Sequence, residues 1–229
     1  MSQLTALLLA LSVMLLPGVG AWAADRDGDS PQVATIPGAR NLEPAPGRFL
    51  VAKRSLLDPN FRETVIYLVA HDEEGSWGMV VNRRTEMRLS EVLPDIEQNE
   101  ASEHRVFVGG PVGLSNLVML FKGVVEQGRV QSVNDDVYVS LDRGVLENLL
   151  KNHTPTDALR LFAGHAGWAP GQLEAEIAED AWYVVPGDVE AVFSRNVVFL
   201  WHHMIAELEP DGIEVQKQPR HGKVSVASR

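Results

Sequence analysis

Apolar positions along the chain alternate between a period near two and a period near 3.6, and the two periods sort the elements. Residues 47–57 begin the patterned part as a strand, and Asp58-Pro59-Asn60 ends it as a turn. Residues 64–71 are rich in β-branched and aromatic side chains. With Asp72-Glu73-Glu74-Gly75 turning the chain back into residues 77–82, they predict a β-hairpin. Residues 89–96 predict a short helix with Thr85 as its cap. Residues 105–108, 117–121 and 137–141 predict strands. Asp142 stands where an N-cap is wanted, and Val145, Leu146, Leu149 and Leu150 make one helical face behind it. Residues 182–185 read as a strand and 188–193 as a turn or two of helix. Val197, Leu200, Trp201, Met204 and Leu208 give a closing amphipathic helix over 196–208.

Between these lies the least random stretch, Gly164-His165-Ala166-Gly167-Trp168-Ala169-Pro170-Gly171-Gln172-Leu173-Glu174-Ala175-Glu176-Ile177. Residues 159–163 predict a buried strand ending at Gly164. Gly164, Gly167 and Gly171 supply backbone freedom or close approach, and Pro170 suits a first helical turn. Leu173 and Ile177 share a face that docks on a sheet. Glu176, Glu179 and Asp180 line the opposite face, and Trp168 covers the strand–helix junction if its indole N–H finds an acceptor. The structural reading is a corner locked by Gly164, Gly167, Trp168, Pro170 and Gly171. The functional reading makes Gln172 and Glu174 site residues at a helix N-terminus.

Strands mixed with helices, joined first by hairpins, indicate an α+β fold. The N-terminus changes the picture of where that fold works. Residues 4–16 are an apolar run broken by Pro17-Gly18 and followed by Ala21-Trp22-Ala23, the layout of a secretory signal peptide over residues 1–23. The alternative is an uncleaved N-terminal membrane anchor. Residues 24–46 read as a disordered linker, 47–208 as the folded domain and 209–229 as a flexible, mildly basic tail. Export places the mature protein in the periplasm or outside the cell. The chain has 229 residues, no cysteine and a net charge of −11. Disulfides and thiolate metal sites are excluded, and the acidic balance argues against nucleic acid as a partner.

Candidate chemistry is sparse. His202 and His203 are adjacent on a helix and diverge, so no metal site is expected. His71 and Asp72 are strand neighbours facing opposite ways. Gly109-Gly110-Pro111-Val112-Gly113 could cradle an anion in backbone N–H groups, yet lacks the residues of a phosphate-binding loop and reads first as a tight turn. Asn82-Arg83 follows a strand; the arginine can grip a carboxylate or phosphate, or tie down a nearby loop. The candidate binding surface is therefore Asn82, Arg83, Gly109, Gly110, His165, Gln172 and Glu174, with no catalytic residue and no cofactor assigned.

The central stretch resembles the signature of the AlgH/YqgE family of bacterial proteins. Further matches occur in family order: Gly47-Arg48-Phe49-Leu50-Val51-Ala52, Asp58-Pro59-Asn60-Phe61, His71-Asp72-Glu73-Glu74-Gly75-Ser76-Trp77-Gly78, Val81-Asn82-Arg83 and Val108-Gly109-Gly110-Pro111-Val112. The chain departs from the family pattern at His165, where tyrosine is usual, at Arg84, where proline is usual, and in having a leader. The resemblance implies a single domain whose mixed, bifurcated sheet curls into a pseudo-barrel with helices outside. It also implies a family described as transcriptional regulators with a link to alginate production. The reading adopted is a non-enzymatic binding or regulatory module acting after export on an unknown protein or a small anionic ligand. The alternatives are a cytoplasmic transcriptional regulator, or an enzyme with a site near Asn82, Arg83 and His165.

Overall fold

In the computed structural model, residues 41–96, 104–123 and 128–210 are described. The segment read as a signal peptide, and most of those read as linker and tail, lie outside the described residues. Ten strands form one mixed sheet: eight run in the order β10-β1-β2-β3-β9-β6-β8-β7, and β5, itself paired with β4, branches from β9. The strands are β1 (Arg48–Ala52), β2 (Val65–Asp72), β3 (Gly75–Val80), β4 (Arg84–Arg88), β5 (Arg105–Val108), β6 (Val112–Lys122), β7 (Gln131–Ser132), β8 (Val137–Ser140), β9 (Leu159–Trp168) and β10 (Trp182–Pro186). All pairings are antiparallel except that of β5 with β9.

The sheet forks along β9. One edge of β9 pairs with β6 from Leu159 to His165, with an irregularity before Val112↔His165. The other edge pairs first with β5, through Val108↔Ala163, and then with β3, from Gly78↔Ala166 onward. At the crossing, Gly109 N–H donates to the Ala163 carbonyl, while the Gly109 carbonyl accepts from Val80 N–H. Three strands meet at this point with no room for side chains. A Cβ on Gly109 would lie 2.3 Å from the Gly164 carbonyl oxygen, and one on Gly110 would lie 2.2 Å from the His165 carbonyl carbon. Gly109-Gly110 is thus the branch point of the sheet, with the Gly109 N–H and carbonyl both committed to backbone partners.

Alternation along the shared strand feeds two cores. Leu159, Leu161 and Ala163 join a cluster under α1 (Leu89–Val92) and α2 (Arg143–Lys151). Phe162, Ala166 and Trp168 join a larger cluster with α3 (Gln172–Ala178), α4 (Val189–Phe193) and α5 (Leu200–Leu208). The result is a mixed α+β single domain with a curled sheet, as the resemblance implied.

Several expectations are corrected. Residues 84–88 form a strand, and Thr85 does not cap a helix: its Oγ1 donates to the Val106 carbonyl at 2.6 Å. The helix that follows ends at Val92, ahead of Pro94. β9 does not stop at Gly164 but runs through it to Trp168, because that glycine takes φ of +71°. The closing helix begins as a 3-10 turn over Val197–Phe199 before α5. Asp142 caps α2 as expected, its carboxylate accepting from Gly144 N–H at 2.8 Å.

Candidate functional site

The signature residues converge, but on one another. The Trp168 and Trp182 indoles, 5 % and 1 % exposed, both donate Nε1–H to Glu176 Oε2 at 2.9 Å. Gln172 Nε2 donates to Glu176 Oε1 at 2.9 Å, and Gln172 Oε1 accepts from Ala169 N–H. Glu176 is therefore turned inward, correcting its assignment to the face opposite Leu173 and Ile177. A carboxylate is the group that can accept several such bonds at once. Phe61 packs against both tryptophans, at 6.1 and 5.8 Å between ring centroids. The loop carrying Phe61 is held by Asn82 and Arg83. Asn82 Oδ1 accepts from Val65 N–H and its Nδ2 donates to the Glu63 carbonyl, each at 2.9 Å. Arg83 donates to the carbonyls of Asn60, Pro59 and Arg62. Burial lowers the Arg83 pKa, with Arg62 adding to the effect.

These residues form a knot tying loop, sheet and helix. Of the two roles open to Arg83, the structure shows the loop tie. Replacing Asn82 with alanine strips a buried N–H and a carbonyl of their partners, an expected cost of about 1–3 kcal/mol. Urea unfolding should show it as a lower midpoint at unchanged slope.

His165 stands apart from this knot. It is half-buried with its ring edge-on to Trp77 at 5.7 Å, and burial lowers its pKa. Among the described residues, no hydrogen bond, ion pair or ring contact joins it to Asn82 or Arg83, so these three do not assemble through direct contact. A different arrangement does. His71 Nδ1 is 2.8 Å from Ser76 Oγ, and His71 Nε2 is 3.5 Å from Glu174 Oε1. The order serine–histidine–carboxylate has the look of a nucleophilic relay, but Ser76 is only 8 % exposed on β3 and none of the four main cavities is lined by any of the three. The contact docks α3 onto the β2–β3 hairpin. Among the described residues, no group of three or more His, Asp or Glu is placed to hold a metal ion.

The site that sequence reading missed lies at the start of the parallel pair β5–β9. The register sets Arg84 opposite Phe107 and Phe107 opposite Phe162. Alternation then puts Arg84, Arg105 and Arg160 on one face of the sheet. With His104, Thr156, Leu159 and Arg195 they line a cleft of about 210 Å³. Arg160 is 7 % exposed. Its Nη2 donates to the Ser194 carbonyl at 2.5 Å, and its guanidinium lies over the Phe107 ring at 4.8 Å. Its Nε is buried without an acceptor.

Burial, with Arg84 nearby, pulls the Arg160 pKa down to about 10. The group stays charged near neutrality, at a desolvation cost of roughly 3 kcal/mol. Because the folded value is the lower one, the cost persists at every pH below about 10. It is relieved only as pH rises from there toward the ordinary arginine value. Glu86 reaches Arg105 at 3.4 Å and Arg84 at 4.0 Å. No carboxylate among the described residues forms an ion pair with Arg160 or Arg195. Four guanidiniums thus gather on a chain of net charge −11. The available signal was Arg160 itself, a charge inside the otherwise apolar run Leu159-Arg160-Leu161-Phe162.

The AlgH-like family model matches residues 49–212. The chain belongs to the AlgH-like family. It is 39 % identical over 179 residues to a UPF0301 protein of Streptomyces coelicolor, covering 76 % of this chain and 91 % of that one. A UPF0301 protein of Thioalkalivibrio sulfidiphilus is 36 % identical over 167 residues, covering 72 % and 89 %. Among solved structures, AlgH of Pseudomonas aeruginosa superimposes with a TM-score of 0.62 at 27 % identity, covering 80 % of this AlgH-like chain and all of that one. A protein of Corynebacterium diphtheriae gives 0.61 at 26 % identity, covering 72 % and 87 %. The arginine cleft of this AlgH-like protein is built from residues inside the matched span.

Proposed function

We propose that this AlgH-like protein is a non-enzymatic binding module that takes a small anionic ligand in the arginine cleft and works after export. The observation that carries the reading is Arg160. A protein holds a buried guanidinium without an ion-pair partner at a standing cost in stability, and a bound anion removes that cost. A planar guanidinium fork is also the side chain best suited to oxyanions. Export rests on the apolar leader followed by Ala21-Trp22-Ala23.

Saturating a multivalent anion at constant ionic strength should stabilise the protein by about 2–3 kcal/mol at roughly a hundredfold excess over Kd. For a chain of this size that is a rise in Tm of roughly 5–10 °C. Arg160→Met should lose the ligand-dependent rise while keeping its own Tm near that of the parent, because removing the buried charge offsets the lost bond to Ser194. A rise of equal size in Arg160→Met would mean general salt exclusion and would refute the reading. Fractionation with N-terminal sequencing tests export: a first residue near Ala24 supports it, and a full-length cytosolic protein contradicts it.

A further inference from the structure

The cleft's charge, size and donor geometry narrow the ligand further. Resting on the anion-binding reading above, we infer that the cleft is built for a phosphoryl group, as inorganic phosphate or as the terminal phosphate of a small monoester.

Charge comes first. Arg84, Arg105, Arg160 and Arg195 line the cleft, and Glu86 is the one carboxylate within ion-pair distance of any of them among the described residues. Asp157 acts on Arg160 from farther away. Two or more positive charges are left over, which matches a dianion better than a single carboxylate or a phosphodiester, each carrying one charge. Size comes second. About 210 Å³ is space for about seven waters, enough for a phosphoryl headgroup, with the remainder of any larger ligand left outside the cleft. Geometry comes third. The cations come from separate elements: Arg84 from β4, Arg105 from β5, Arg160 from β9 and Arg195 from the link between α4 and the 3-10 turn. Thr156, on the connection into β9, adds a hydroxyl. Donors converging from several directions suit a tetrahedral anion, whereas a planar carboxylate is satisfied by one fork. Arg160 is fixed by Ser194 and by the Phe107 face, so the innermost cation is positioned before the ligand arrives.

Titration calorimetry on the whole chain at constant ionic strength, with four probes, tests this. Inorganic phosphate, phenyl phosphate, dimethyl phosphate and succinate separate free phosphate, monoester, diester and dicarboxylate. Saturable one-to-one binding of phosphate or phenyl phosphate, roughly tenfold or more tighter than dimethyl phosphate and succinate, supports the inference. Tighter phenyl phosphate identifies a monoester ligand, and tighter free phosphate identifies the ion itself. Arg160→Met and Arg195→Ala should each weaken the preferred probe by roughly tenfold or more, and Arg83→Ala should not. Arg195 is exposed, so its variant remains informative even if the Arg160 variant folds poorly. Preference for succinate would overturn the phosphoryl assignment and leave the anion reading standing. Equal binding of all four, or preference for the diester, would also overturn it, the latter pointing to nucleic acid. Silence from every probe would overturn both.

Discussion

Replacing Glu176 with leucine is expected to lower stability by about 3–5 kcal/mol, seen as a fall in Tm of roughly 10 °C. The side chain accepts from two buried indoles and from Gln172. Leucine fills similar space but leaves the Trp168 and Trp182 N–H groups buried and unmet, each at a cost of about 1–3 kcal/mol. Glu176→Gln separates this cause from simple loss of packing. Its one amide oxygen can still take both indoles from the Oε2 position, so the expected loss falls to about 1 kcal/mol. Equal losses for leucine and glutamine would show that the indole bonds are not what the carboxylate contributes. The effect should also spread through Phe61, which lies against both rings, to the loop that Arg83 holds.

Gly110→Ala should give no soluble folded protein, a loss above about 4–5 kcal/mol. The new methyl would meet the His165 carbonyl carbon at 2.2 Å and Ala166 N at 2.3 Å, at a φ of +150°. Those atoms belong to the backbone of β9, which is held by β6 on one side and β3 on the other, so nothing nearby can yield. Gly171→Ala is the matched control. It sits at φ of +75° as the N-cap of α3 with no atom within 4 Å of the added carbon. Only the left-handed backbone is strained, at about 1–2 kcal/mol, and the variant should fold. Soluble yield and circular dichroism distinguish the two. A stable Gly110→Ala would mean that the strands do not cross this closely.

Much of the fold was legible because local signals agreed with the final packing. The β2–β3 hairpin, the Asp142 cap and the buried face of α2 were all set by period and turn chemistry. β4 was not legible: Arg84-Thr85-Glu86-Met87-Arg88 has no apolar alternation, and it becomes a strand only by pairing with β5. Gly164 read as a strand end because glycine usually interrupts strands. Here it lets the strand continue past a crossing chain. The sites followed the same division. Helical spacing placed Glu176 with Glu179 and Asp180, and no local pattern shows that two tryptophans, 8 residues before it and 6 after, turn it inward. Asn82 and Arg83 were recognisable as polar residues with work to do, and that work proved to be holding residues 59–65. The cleft was hidden for a different reason. Its arginines are spread from position 84 to 195 and come together only through long-range pairing of β4 with β5 and of β5 with β9, and through the link that carries Arg195.

Nitrogen NMR of the arginine Nε–H groups, recorded while phosphate is titrated in, tests the anion-binding cleft most directly. The Arg160 Nε–H, now without an acceptor, should shift saturably together with that of Arg195. The Arg83 signal should stay in place, because its Nη atoms already donate to three carbonyls of its own chain. An Arg160 signal that never moves, or one that moves only in step with Arg83 and every exposed arginine, would contradict it.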